Sequence, residues 1–148
     1  MKNLRLPIYF LFTTLVIFFS CKKKNEKSDL DKQKEAISTS WEVDAITAGT
    51  EDLTFERPVI ITFSTNGTYS IQGLESLNAA NVNHADILKN SGNWEITESN
   101  LNIVNLGGGN SVSITELNEA NFKFTYSSSY PKETDNERNI SIGTVRAE

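Results

Sequence analysis

The chain of 148 residues contains a single cysteine and a single histidine. Because Cys21 is the only thiol, no disulfide within the chain and no thiolate metal site can form. Because His84 is the only imidazole, the chain has too few histidines for a multi-histidine metal site. We therefore expect no metal ion and no other cofactor.

Basic residues are scarce in the larger part of the chain. Residues 37–148 contain six Lys and Arg against fifteen Asp and Glu, which is a net charge of −9. Proteins that bind nucleic acid gain much of their affinity from basic contacts to phosphates. The composition therefore argues against a nucleic-acid partner and makes an anionic ligand less favourable.

The sequence also lacks an apolar run long enough to cross a bilayer as a helix. The nearly continuous apolar run at residues 6–19 is shorter than the roughly 20 residues that such a helix needs. Positively charged residues 1–5 precede this run, and the small residue Ser20 follows it. This order is typical of a secretion signal, and we predict that residues 1–20 are a signal peptide.

The end of this segment resembles a bacterial lipobox of the looser kind found in Bacteroidetes-type lipoproteins, with the order Phe18, Phe19, Ser20, Cys21. The resemblance implies cleavage before Cys21, a diacylglycerol thioether on its sulfur, and an acyl chain such as palmitate on the new amino terminus. Two or more acyl chains hold a protein firmly on a membrane. Because Lys22 follows rather than Asp, the same resemblance implies the outer membrane, on either its periplasmic or its surface face. The alternative is a plain signal anchor in which Cys21 has no role.

The residues after the cysteine are too polar to form a core. Residues 22–36 carry six Lys and four acidic residues and almost no apolar ones. We predict a solvated tether, and a short helix with Ser28 as N-cap is the alternative. The predicted organisation is a signal peptide at 1–20, a lipidated cysteine and tether at 21–36, and a folded domain at 37–148.

The folded domain has the pattern of short β-strands. Apolar and polar residues alternate, and turn residues separate the runs. The eight predicted strands cover residues 41–46, 59–63, 68–71, 92–96, 101–104, 112–115, 122–126 and 139–145. Nearly all the links have two to five residues, which makes neighbouring strands antiparallel. We predict an all-β domain in which eight short antiparallel strands form an up-and-down barrel, and the alternative is an open β-sandwich.

The same alternation predicts which side chains face inward. On the first strand these are Trp41, Val43 and Ala45, and on the fifth strand they are Leu101 and Ile103.

Two connections also differ from the rest. Asn66 and Gly67 between two alternating runs predict a tight hairpin, because both residues tolerate positive φ. Residues 74–90 form a long connection rich in Asn and Ala, and connections of this length are often functional.

The order of these motifs resembles that of a known family. Trp41 opens the first strand, residues 63–69 form the hairpin, and residues 92–96 give a G-x-W-x-I strand that is followed by Leu101 and Ile103. The chain thereby resembles the lipocalin-like domains of small Bacteroidetes-type lipoproteins over nearly the whole mature domain. The resemblance implies a small β-barrel and no catalytic residues.

An eight-stranded barrel is just wide enough to be filled by side chains or to hold one small ligand. We expect a small apolar ligand, bound by Trp41, Phe63, Tyr69, Trp94, Phe124 and Tyr126. The alternative is a protein-interaction or envelope-assembly module with a filled core and no ligand. The protein partner of such a module is not identified by the sequence.

Signals for catalysis are weak. His84 and Asp86 lie two residues apart in the long connection, and a His–Asp pair can serve as a general base, but no nucleophile is near them in sequence. A solvated loop histidine is the simpler interpretation. We therefore expect no enzymatic activity.

Overall fold

The computed structural model describes residues 26–78, 80–84, 87–132 and 134–148. The predicted signal peptide, the predicted lipidation site at Cys21 and the first residues of the predicted tether lie outside the described residues. The helices are α1 (Asp29–Ile37) and α2 (Leu74–Asn78), and the strands are β1 (Ser40–Ala48), β2 (Glu51–Asp52), β3 (Ile60–Phe63), β4 (Thr68–Gln72), β5 (Ser91–Asn93), β6 (Glu95–Thr97), β7 (Asn100–Asn105), β8 (Ser111–Leu117), β9 (Asn121–Ser129) and β10 (Glu137–Arg146).

The strands form one antiparallel sheet whose spatial order follows the chain. Neighbouring strands run β5-β4-β3-β1-β10-β9-β8-β7-β6, and the short β2 pairs with β1 beside this path. The first and last long strands, β1 and β10, are therefore neighbours. The two ends of the order, β5 and β6, are successive in the chain and are separated only by Trp94. The sheet is thus a nearly closed up-and-down barrel, as predicted, and not an open sandwich.

All eight predicted strands are present, with two differences in their division. The predicted strand at 92–96 is split by Trp94, because β5 pairs with β4 whereas β6 pairs with β7. The two-residue strand β2 was not predicted. The described part of the chain therefore has ten strands, and nine of them lie on the path around the barrel, because β5 and β6 are two parts of one predicted strand.

The inward face of β1 changes at a β-bulge. Trp41 and Val43 are buried, the pairing with β10 shifts between Val43 and Ala45, and Ile46 and Ala48 are buried after the shift. An extra residue in one strand moves every later side chain to the opposite face. The prediction that Ala45 shares the inward face is therefore wrong, and Ala45 is exposed.

The predicted face of β7 is also wrong at one position. Val104 is buried and pairs with buried Val112, whereas Ile103 pairs with exposed Ser113 on the outer face. Leu101 is half-buried and packs against the core. Because Ile103 and Val104 are adjacent and both apolar, the period-two pattern does not indicate which of them faces inward.

The hairpin predicted at Asn66 and Gly67 joins β3 to β4. Gly67 has a φ of 82°. Oδ1 of Asn66 accepts hydrogen bonds from the backbone N–H and the hydroxyl of Thr68, at 3.1 and 2.7 Å. The backbone N–H of Ser64 donates to the carbonyl of Thr68 at 2.8 Å. The hairpin is confirmed, with a three-residue loop whose last residue is a left-handed glycine.

Helix α1 packs against the barrel. Its N-cap Ser28 accepts a hydrogen bond from the N–H of Asp31, as the short-helix alternative proposed. Ile37 is fully buried, and its carbonyl accepts a hydrogen bond from Trp41 Nε1 at 3.0 Å. Gln33 Nε2 donates to the carbonyl of Leu101 at 3.3 Å. Most of the described part of the predicted tether is therefore a helix fixed to the domain.

No helix among the described residues is both long enough and apolar enough to cross a membrane.

Candidate functional site

The six aromatic residues predicted to bind a ligand all lie in the barrel interior. Each of their side chains belongs to the hydrophobic core, and none is more than 5% exposed. The set is Trp41, Phe63, Tyr69, Trp94, Phe124 and Tyr126. The alternation of the strands positions five of these rings on the inward faces of their strands, and Trp94 lies between β5 and β6.

Phe63 lies at the centre of these contacts. Its ring centroid is 5.4 Å from that of Trp94 and 5.9 Å from that of Phe122, both edge-to-face, and 6.1 Å from that of Tyr69. Edge-to-face pairs at such distances contribute about 0.5–1.5 kcal/mol beyond the burial of their area. Phe63 therefore joins the split strand to the opposite side of the barrel.

Phe122 continues the contacts from Phe63 across the interior. It was not among the predicted ligand residues. Its ring centroid lies 5.6 Å from that of Trp41 and 5.2 Å from that of Phe124, which in turn stacks on Tyr126 at 6.5 Å.

A continuous row of rings therefore runs through the barrel, which we call the aromatic row: Trp94, Phe63, Phe122, Phe124 and Tyr126. These side chains contact one another, as in the close-packed interior of a filled barrel.

The long connection between β4 and β5 covers one end of the barrel. We call its described residues 74–78, 80–84 and 87–88 the cap. Four apolar side chains of the cap are buried, namely Leu77, Ala80, Val82 and Leu88. Ser128 Oγ donates to the carbonyl of Asn83 at 2.8 Å, and the N–H of Asn83 donates to the carbonyl of Ser129 at 3.4 Å. The cap is therefore packed against the core and hydrogen-bonded to the end of β9.

His84 joins the cap to the aromatic row. Its side chain is fully buried, and Nε2–H donates to the carbonyl of Leu77 at 2.9 Å. Since a carbonyl can only accept, Nε2 carries the ring hydrogen. In the neutral ring Nδ1 is then unprotonated and accepts a hydrogen bond from the hydroxyl of Tyr126. The interpretation of His84 as a solvated loop histidine is therefore wrong.

The environment keeps His84 neutral. Burial lowers the pKa of His84 to about 4, the hydrogen bond to Leu77 raises that pKa, and the charge of Lys132 lowers it. Burial also raises the pKa of Tyr126 above its usual value. Both ring nitrogens are used in hydrogen bonds, so neither is free to act as a general base. Asp86, the other member of the predicted pair, lies outside the described residues.

Trp94 fixes the point at which the barrel is split. Its backbone N–H donates to the carbonyl of Gly67 at 2.8 Å, and its indole Nε1–H donates to the carbonyl of Ser64 at 3.0 Å. Both acceptors belong to the β3–β4 hairpin loop. The indole therefore anchors the strand from β5 to β6 on that hairpin.

A cleft of about 310 Å³ lies beside this split. It is formed where the chain passes from β5 into β6, beside the end of β7 and the turn between β7 and β8. Its lining residues are Asn93, Trp94, Glu95, Asn105, Gly107, Gly109 and Asn110. Three of the lining residues are asparagines and one is Glu95, and Trp94 is the one predicted ligand residue in this lining, so the cleft differs from the predicted ligand site.

The barrel agrees with the fold that the lipocalin-like resemblance implies. The chain matches no protein-family model and no curated protein. The assignment to lipocalin-like lipoproteins therefore depends on the motifs of the sequence and stays a prediction.

The described residues contain no group of three or more His, Cys, Asp and Glu side chains arranged to hold a metal ion.

Proposed function

We propose that this chain is a lipid-anchored envelope protein whose barrel is a filled scaffold and whose outer surface and connections bind a protein partner. This is the second of the two hypotheses raised by the sequence. The observation that carries it is the aromatic row, in which the residues expected to contact a ligand contact one another instead.

An apolar ligand in the interior would have to displace part of this row. Replacing a buried Phe by Ala costs on the order of 3–5 kcal/mol, because the packing and the burial of the ring are both lost. A ligand that displaced Phe63 or Phe124 would have to supply a comparable free energy before it gained any affinity. The cap adds a further barrier, since Leu77, Val82 and His84 are fully buried at the end of the barrel.

The anchor remains part of this proposal. The charged segment, the apolar run and the lipobox-like residues before Cys21 support lipidation of that cysteine, with a palmitate-type acyl chain and placement in the outer membrane on its periplasmic or surface face. The acidic composition of residues 37–148 supports a partner other than nucleic acid.

The anchor is tested by labelled palmitate in the native host. We expect wild-type protein to incorporate the label and the Cys21→Ala variant to incorporate none. The anchor is refuted if the wild type carries no lipid mass, or if Cys21→Ala is labelled equally.

The filled barrel is tested by native mass spectrometry of the protein purified from its own host. We expect the mass of the mature chain with its covalent lipid and no additional small molecule. A stoichiometric, non-covalent apolar molecule that survives purification would instead support the first hypothesis, a ligand-binding barrel.

A further inference from the structure

The direction of the strands sorts the connections of the barrel into two ends. The turns at residues 64–67, 98–99 and 118–120 lie at the end where β1 begins. We call this the proximal end. The cap, the turn at residues 106–110 and the loop residues 130–132 and 134–136 lie at the opposite end, where β1 finishes, which we call the distal end.

Helix α1 is fixed to the proximal end. The buried Ile37 accepts its hydrogen bond from Trp41 near the start of β1, and Gln33 reaches Leu101 near the start of β7. Lys34 borders a small cleft together with the hairpin residues 65–67. The chain therefore leaves the folded domain from this end, at Ser28.

The distance between Cys21 and Ser28 limits how far this end can lie from an anchored lipid. Seven residues span at most about 25 Å, at roughly 3.6 Å per residue. The two ends of the barrel are roughly 30 Å apart along β10, at about 3.3 Å per residue. The proximal end must therefore stay within about 25 Å of the bilayer, whereas the distal end can lie roughly 30 Å farther away.

The net charge of the domain opposes close contact between the barrel and an anionic membrane. Residues 22–28 contain four Lys and one acidic residue, which favours contact with anionic headgroups. Residues 37–148 have a net charge of −9, which disfavours such contact within the Debye length of about 8 Å. The tether is therefore attracted to the membrane and the barrel is repelled from it.

We infer that the proximal end, closed by α1, faces the membrane, and that the distal end points away from it. This inference depends on the proposed lipid anchor and adds the orientation of the domain to it. The cap, the 106–110 turn and the loop residues 130–132 and 134–136 together form the surface that points away from the membrane.

The orientation is tested by energy transfer from labelled full-length protein to a rhodamine headgroup lipid. The lipidated protein is reconstituted in vesicles of phosphatidylethanolamine and phosphatidylglycerol. A donor dye is attached to Ser99→Cys at the proximal end or to Thr50→Cys at the distal end, both of which are exposed positions. Because acylated Cys21 has no thiol, the introduced cysteine is the labelled one.

We expect higher transfer efficiency from Ser99→Cys than from Thr50→Cys. A second pair, Ala120→Cys at the proximal end and Lys132→Cys at the distal end, is expected to give the same order and controls for an effect of one label. Residues 22–148, which lack the cysteine, are expected not to float with the vesicles.

Equal or reversed transfer, with the protein still bound to the vesicles, would overturn the orientation and leave the anchor intact. Failure of the intact mature protein to float with the vesicles would overturn the anchor, and the orientation with it.

Discussion

Tyr126 donates its hydroxyl hydrogen to Nδ1 of His84, a residue 42 positions earlier in the chain. The two rings also meet edge-to-face, with centroids 6.1 Å apart. This contact connects the cap directly to the last ring of the aromatic row. The distal end is therefore closed by this buried polar pair together with the apolar side chains of the cap.

Replacing Tyr126 by Phe tests that pair. Tyr126→Phe leaves Nδ1 of His84 without a donor in a buried site, and an unsatisfied buried acceptor costs about 1–3 kcal/mol. Tyr130→Phe is the matched control, because the hydroxyl of Tyr130 donates to Glu51 at the surface. We expect chemical denaturation to give a clearly larger loss of unfolding free energy for Tyr126→Phe. Equal losses in the two variants would contradict the assigned role of the pair.

The protonation of His84 predicts how stability depends on pH. The pKa of His84 is lowered from 6.5 to about 4 in the folded protein, mainly by burial. Between these values the unfolded chain binds the proton and the folded chain does not. The stability that neutral His84 contributes is therefore complete above pH 6.5 and is lost as the pH falls to about 4. The loss is on the order of 3 kcal/mol.

The His84→Gln variant isolates this contribution, since the carboxylates titrate alike in both proteins. We expect the difference in unfolding free energy between wild type and His84→Gln to shrink between pH 7 and pH 4. A difference that stays constant over this range would show that His84 is not buried as a neutral ring.

The strands were predictable because their signal is local. The alternation of Tyr69 and Ile71 with polar neighbours, and the loop at Asn66 and Gly67, each identify a strand or a hairpin from a few successive residues. The closed order of the barrel followed from short links, which force neighbouring strands to be antiparallel. The prediction of the fold therefore needed no information about distant contacts.

The errors arose where distant contacts decide the local structure. The bulge before Ala45 changes the face of a strand without changing its composition, and the splitting of a strand at Trp94 depends on an acceptor at Ser64. The burial of His84 depends on Tyr126, which lies 42 positions later in the chain, and on Leu77, which lies earlier in the same connection. A single His in a segment rich in Asn gives no local indication that its side chain is buried.

Truncation of Phe122 tests how tightly the interior is packed. This fully buried ring contacts Trp41, Phe63 and Phe124. We expect Phe122→Ala to lower the unfolding free energy by about 3–5 kcal/mol, as in a close-packed core. Val145→Ala, at an exposed position, is the control and should change it by less than about 0.5 kcal/mol. A small loss for Phe122→Ala would indicate an interior with free space.

Two glycines with similar backbone angles allow the cost of backbone strain to be measured separately from the cost of a steric clash. Gly49 and Gly73 have φ values of 65° and 74°, but an added Cβ meets nothing at Gly49 and would lie 2.5 Å from the carbonyl oxygen of Pro58 at Gly73. Gly49→Ala should lower the unfolding free energy by about 1 kcal/mol, from the left-handed conformation alone. Gly73→Ala should cost clearly more, because Gly73 joins β4 to the cap and its neighbour is backbone. Thermal unfolding of the two variants checks this, and equal midpoints would refute the close approach.

A filled barrel requires that the aromatic row leaves no room for an apolar ligand. The direct measurement is the fluorescence of Trp41 and Trp94 in residues 26–148, produced without the lipid and titrated with an anthracene-labelled fatty acid. We predict no saturable change in the wild-type sequence, and saturable quenching in Phe122→Ala, in which the removed ring leaves a cavity. Saturable one-to-one quenching of the wild-type sequence would contradict a filled barrel.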